Sequence, residues 1–269
     1  MGDWPQGTGS RYQDDDGASY ETGINPNATA NTKGSYVTIF AATTFDATGL
    51  VVTIRSSNAS TDYLVDVAIG AASSEQIIAA NLLISSCTGL STAHYILPLS
   101  IPAGVRISAR SQAGGASKSL NVKMQLIGGA DSSVSFSRIE TWGAATADSG
   151  GTSVDPGGIT NTKGAYSELV AASAFDVKRI YVAVGNQQNA TRTTMLEALD
   201  IAIGAAASEQ VIIPNLEVLQ DATQDMIFPQ VYGPFDIVIP GGTRVSARGM
   251  SQSADATDRL FDVVVYGIG

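Results

Sequence analysis

Two pairs of carboxylates are the residues whose types could do chemistry here. Asp66 and Glu75 recur further along the chain as Asp200 and Glu209, and two carboxylates flanking a sugar bond suffice for a glycosidase. Their surroundings favour another use. Asp66 and Asp200 stand inside apolar runs, Leu-Val-Asp-Val-Ala-Ile and Ala-Leu-Asp-Ile-Ala-Ile, where a charge without a partner is costly. Each is followed by two arginines on one later segment, Arg106 with Arg110 and Arg244 with Arg248. A carboxylate held by arginine is a common structural device. Ion pairing is therefore expected of Asp66, Arg106, Arg110, Asp200, Arg244 and Arg248, with a contact between copies and catalysis as the alternatives.

The remaining reactive residue types are scarce. There is one histidine, His94, and one cysteine, Cys87. A multi-histidine metal site and an intrachain disulfide are excluded, and any nucleophile–histidine arrangement would have to use His94 itself. Neither residue has a counterpart in the repeat described below, so both are expected to be dispensable. Asp14, Asp15 and Asp16 are adjacent and lack the spacing of a calcium loop, which makes a solvated turn the better reading. No phosphate-binding glycine motif is present, and the sequons at Asn27, Asn58 and Asn189 are assigned no role. No catalytic residue, cofactor or metal is expected. Trp4 and Trp142, the two tryptophans, are expected at contacts between copies in preference to stacking on sugar.

The elements that carry these residues are written twice. Asn-Thr-Lys-Gly-Ser-Tyr from Asn31 returns as Asn-Thr-Lys-Gly-Ala-Tyr from Asn161, and Phe45-Asp46 as Phe175-Asp176. The run Asp66-Val-Ala-Ile-Gly-Ala-Ala returns from Asp200, each copy soon reaching Ser-Glu-Gln, and Ile101-Pro-Ala-Gly-Val-Arg-Ile-Ser-Ala-Arg returns from Ile239. The spacing between copies lengthens along the chain, so insertions fall between blocks, where loops belong. Apolar residues alternate with a period of two, as in Val105, Ile107 and Ala109, in short runs separated by Gly, Asn, Pro and Ser. That pattern predicts an all-β chain of two tandem jelly-roll-like antiparallel β-sandwiches related by internal duplication. The expected divisions are an extended segment over 1–30, a first sandwich over 31–129, a linker over 130–160 and a second sandwich over 161–269. Strands are expected near 76–79 and 81–85, near 210–213 and 215–219, and over 235–248 with a break at the Pro240 turn.

Composition narrows the partners. The 269 residues are 15% charged with a net charge of -10, below the roughly 25% charged of an average domain. There is no basic cluster to track phosphates, so nucleic acid is not an expected partner. No apolar run approaches the length of a membrane span, and the opening Met-Gly-Asp-Trp-Pro-Gln has no basic-then-apolar export signal. A charge-poor surface rich in small residues suits packing against symmetric copies, and a homotrimer is the expected assembly.

At the blocks N-T-K-G-x-Y, F-D, D-x-A-I-G-A-A-x-S-E-Q and I-P-x-G-x-R-x-S-A-R, the chain resembles tailed-bacteriophage structural proteins, over about 31–128 and 161–267. The resemblance implies a virion location and brings no catalytic residues. It leads to the expectation of a non-enzymatic protein on the exterior of the particle, a tail- or head-attached spike or fibre component. Its expected partners are copies of itself, other virion proteins and host glycan. A capsid decoration protein, and a polysaccharide-binding or polysaccharide-cleaving protein, are the alternatives.

Overall fold

A computed structural model describes residues 10–14, 21–56, 58, 61–86, 91–129, 136–186, 194–222, 226–256 and 258–269. The first unit contains β1 (Ser10–Asp14), β2 (Thr22–Gly23), β3 (Val37–Phe40), β4 (Ala47–Ser56), β5 (Thr61–Ile69), β6 (Gln76–Ser86), β7 (Ser91–Leu97), β8 (Ile107–Ala113) and β9 (Asn121–Gly129). The second contains β10 (Ile139–Trp142), β11 (Ala144–Ala145), β12 (Gly150–Val154), β13 (Ser167–Val170), β14 (Arg179–Asn186), β15 (Met195–Ile203), β16 (Gln210–Asp221), β17 (Met226–Ile227), β18 (Gln230–Phe235), β19 (Val245–Ser251) and β20 (Phe261–Ile268).

Both units are antiparallel sandwiches. In the first, one sheet runs β1-β9-β4-β7, with β2 also on β9, and the other runs β3-β8-β5-β6. In the second, β11-β12-β20-β14-β18, with β10 on β20, faces β13-β19-β15-β16-β17. The chain passes between sheets at most connections, as in a jelly roll. Alternation builds each core: in β4, Leu50, Val52 and Ile54 are fully buried while their neighbours face outward.

Four sequence-based boundaries change. Residues 10–14 and 22–23, expected to be an extended preface, pair with β9 as β1 and β2. The expected linker contains β10 and β12, both paired with β20, and β11, which pairs with β12. These strands are short and lack the alternation that marks a strand in sequence. At Gly151 a side chain would come within 2.8 Å of the Val263 backbone, so a residue that reads as a linker glycine is a close strand contact. The expected break after residue 79 is no break: β6 is continuous, and its register shift beside Asn81 (φ 54°) is repeated in β16 beside Asn215 (φ 52°). The expected strand over 235–248 ends with β18 at Phe235, and β19 resumes at Val245.

The two sandwiches pack against each other. Tyr181, Ala183, Val264, Tyr266 and Ile268, on the outer face of the β14–β20 sheet, join the core of the first unit. Strand β20 is consequently buried on both faces and reads as a nearly unbroken apolar run. The Tyr266 ring meets Tyr95 edge-on at 5.5 Å. Its hydroxyl accepts from the Leu83 amide at 2.8 Å and donates to the Asn81 carbonyl at 2.9 Å. Tyr181 donates to the Ile96 carbonyl. Trp142, expected at a contact between copies, is 1% exposed and lies in the core of the second sandwich. Its ring fills the space that a side chain at position 267 would need, 2.7 Å from that Cβ position, which is why glycine stands there. Trp4 lies outside the described residues.

Candidate functional site

The repeated blocks converge on one cluster per unit. Asp66 Oδ1 accepts from Lys33 Nζ at 2.8 Å and from the Asn81 amide at 3.0 Å, and Oδ2 accepts from Arg110 Nε at 2.9 Å. The second unit repeats the arrangement. Asp200 accepts from Lys163 at 2.8 Å, the Asn215 amide at 2.9 Å and Arg248 at 3.0 Å. The arginine of each set lies over a tyrosine of the N-T-K-G-x-Y block, Arg110 over Tyr36 at 4.5 Å and Arg248 over Tyr166 at 4.6 Å. Both aspartates are buried. Burial raises the Asp200 carboxyl, but hydrogen bonds from Lys163, the Asn215 amide and Arg248 outweigh it and hold the group below the usual carboxylate range.

The other two arginines serve a different carboxylate. Arg106 binds Glu75 at 3.0 Å and the Gly70 carbonyl at 3.3 Å, and Arg244 binds Glu209 at 3.0 Å and the Gly204 carbonyl at 3.2 Å. Each ties the Ile-Gly-Ala-Ala loop to the Ile-Pro-x-Gly hairpin, where Gly70 (φ 109°) and Gly204 (φ 111°) make the left-handed bend. Phe45-Asp46 and Phe175-Asp176 complete the hairpin, Asp46 accepting from the Ala103 amide and Asp176 from the Gly241 amide at 2.8 and 2.7 Å. Asp66, Arg110, Asp200 and Arg248 thus pair as expected, whereas Arg106 and Arg244 pair with the glutamates. The lysines went unassigned in the sequence reading, although their place in the most faithfully repeated block was a signal. Every carboxylate of the duplicated pairs is held by a cation. Among the described residues, no group of three or more His, Cys, Asp and Glu side chains is placed to hold a metal ion. Cys87, Asp15 and Asp16 lie outside the described residues.

The units differ on the outer face of the β1-β9-β4-β7 sheet. Thr53 sits opposite Lys123 on one side and His94 on the other, whereas Ala183 sits opposite Val264 and Val231. Val51 faces Gln125 where Tyr181 faces Tyr266, and Arg55 occupies the place of Gly185. The second unit's version of the face is apolar and covered by the first unit. The first unit's version forms a groove of about 420 Å³ lined by Glu21, Thr53, Arg55, Thr92, His94, Lys123 and Gln125. Arg55 is bonded to Glu21, Lys123 to Asp14 at 3.1 Å, and the Thr53 hydroxyl lies 3.1 Å from His94 Nδ1. Beside the groove, Gln125 donates to the Tyr12 hydroxyl. Tyr12, Ile96 and Ile127 are 58%, 57% and 40% exposed on the same face. Sequence reasoning dismissed His94 because it has no counterpart, yet the positions without a like counterpart are the ones that make this face.

No family model matches the sequence, and no curated protein matches it. Among solved structures, the chain is similar in fold to PNGF-II in a C2 space group, at 8% identity and a TM-score of 0.48, covering 96% of this chain. The chain spans 65% of the length of that protein. It is also similar to the cowpea mosaic virus top component, naturally occurring empty particles, at 10% identity and a TM-score of 0.36, covering 92% of this chain and 88% of that one. A third similarity is to the CBM22-1-CBM22-2 tandem domain from Paenibacillus barcinonensis Xyn10C, at 11% identity and a TM-score of 0.28, covering 98% and 94% of the two chains.

Proposed function

We propose that this chain is a non-enzymatic architectural protein on the exterior of a tailed-phage virion. It is a tail- or head-attached spike or fibre component that assembles with itself as a trimer, meets other virion proteins and touches host glycan. The observation that carries the reading is the use made of the repeated residues. Asp66, Glu75, Asp200 and Glu209 all hold the fold together through ion pairs, so what duplication preserved is a scaffold. The resemblance of the repeated blocks to phage structural proteins supplies the location.

Immunogold labelling with antibodies to the recombinant chain tests the location on intact particles. Label on the tail or at the head attachment is expected; label spread evenly over the capsid would favour a decoration protein. Absence of label from intact particles, or release of reducing ends from a bacterial polysaccharide by the purified chain, would overturn the reading.

A further inference from the structure

We infer that the outer face of the first sandwich is a binding site for an uncharged saccharide. The starting point is the asymmetry between two copies of one fold. The same sheet face is apolar and covered in the second unit, where Tyr181, Ala183, Val264 and Tyr266 lie against the first. Duplication supplied a docking face, and in the first unit each of those positions carries another residue: Val51, Thr53, Lys123 and Gln125. Solubility alone needs charge; it does not need a groove that brings hydroxyl, imidazole and amide groups together beside exposed apolar side chains.

Three features select the ligand class. First, the cations of the groove are neutralised where they stand, Arg55 by Glu21 and Lys123 by Asp14, so the site offers hydrogen bonds without a net field. A polyanion needs unopposed cations, and a cationic peptide needs unopposed carboxylates. Second, Thr53, His94 and Gln125 present both donors and acceptors, as hydroxyl groups require. Third, Tyr12, with Ile127 directly across the β1–β9 pair, gives a flat apolar platform next to the polar row. A sugar ring has this division, with hydroxyls at its edge and C–H groups on its face. The groove's volume of about 420 Å³ lies within the roughly 300–1,000 Å³ of small-ligand sites. The inference deepens the glycan contact of the proposed function by giving it a place. Binding to a purified sugar is measured away from the particle, so site and virion location fail independently.

The test is calorimetric titration of the full chain with short gluco-, manno-, galacto- and rhamno-oligosaccharides, with polygalacturonate as the anionic control. At least one neutral sugar is expected to bind, unaffected by added salt. The double variant His94→Ala/Gln125→Ala and the single variant Tyr12→Ala should each weaken that binding by about tenfold or more. Thr53→Arg, which fills the groove from a half-buried position on its floor, should abolish it, and an unchanged melting temperature establishes that each variant is folded. Three results overturn the site: no neutral sugar binds, only polygalacturonate binds, or binding survives Thr53→Arg. A fourth is an oligomer, seen by sedimentation, that falls apart in Thr53→Arg, since the face would then belong to a second copy.

Discussion

Asp200 shows how one residue organises a unit. Its two oxygens collect a lysine from the Asn-Thr-Lys-Gly block, an arginine from the Ser-Ala-Arg strand and the amide of a bulged asparagine, so three distant segments close on one carboxylate. Removing it strands two cations and an amide. Asp200→Ala should cost about 3 kcal/mol, at the low end for a broken buried pair, because Lys163 and Arg248 keep partial access to water. Thermal unfolding checks this, with no change expected in any saccharide binding. The pH dependence has a definite sign. The folded carboxyl is held below its unfolded value, so its contribution is complete above the unfolded value and disappears as pH falls through the depressed one. Asp200→Asn should therefore flatten the acid limb of the stability profile, measured by urea unfolding from neutral pH downward.

At the scale of strands, the sequence was legible where side chains alternate and illegible where backbone geometry decides. Period two marked β5, β8, β9 and β14, and the duplicated blocks marked which strands correspond. It did not reveal β10 and β12, whose strand character comes from pairing with β20, nor β1 on the edge of its sheet. It also misread Trp142, because the glycine that makes room for its ring in the core, Gly267, stands on β20 far along the chain, and nothing next to Trp142 in sequence marks the pairing. The seam between units was legible only in hindsight, as the double-sided run of β20. That seam should respond to alkali. Burial pushes the Tyr181 hydroxyl up to about 12 and Tyr266 higher still. A phenol whose folded value is raised keeps its contribution below the unfolded value of about 10 and loses it as pH rises toward the folded one. Stability should thus decline above about pH 10, and the 295 nm tyrosinate titration should show a late group of phenols that merges with the early one in urea.

The whole molecule is a face-to-edge pair. The outer face of the β14–β20 sheet sits on the first unit's β6 and β7, and repetition leaves two unused halves: the first unit's groove face and the second unit's β16 and β18 edge. Both have been altered. Leu83, buried at the seam, corresponds to the exposed Glu217, and Pro214 and Pro234 interrupt the free edge, as in edges protected from further pairing. The seam itself tolerates nothing larger than glycine at 185, where a Cβ would lie 2.6 Å from Ser85 Oγ. Gly185→Arg, which copies Arg55 into the covered face, should separate the sandwiches while leaving each folded. Small-angle scattering should then give a larger radius of gyration with β-sheet circular dichroism retained. An unchanged radius would mean that the seam contributes little to holding the units together.

Face-to-edge joining has a geometric consequence. Two like halves joined face to face would have a twofold axis and no up or down; joined face to edge, they form an arrow. Its point and its tail are unlike surfaces made from one ancestral design, and their order is written in the covalent order of the chain. Any support that grips one unit orients every copy alike and needs no second component to choose the direction.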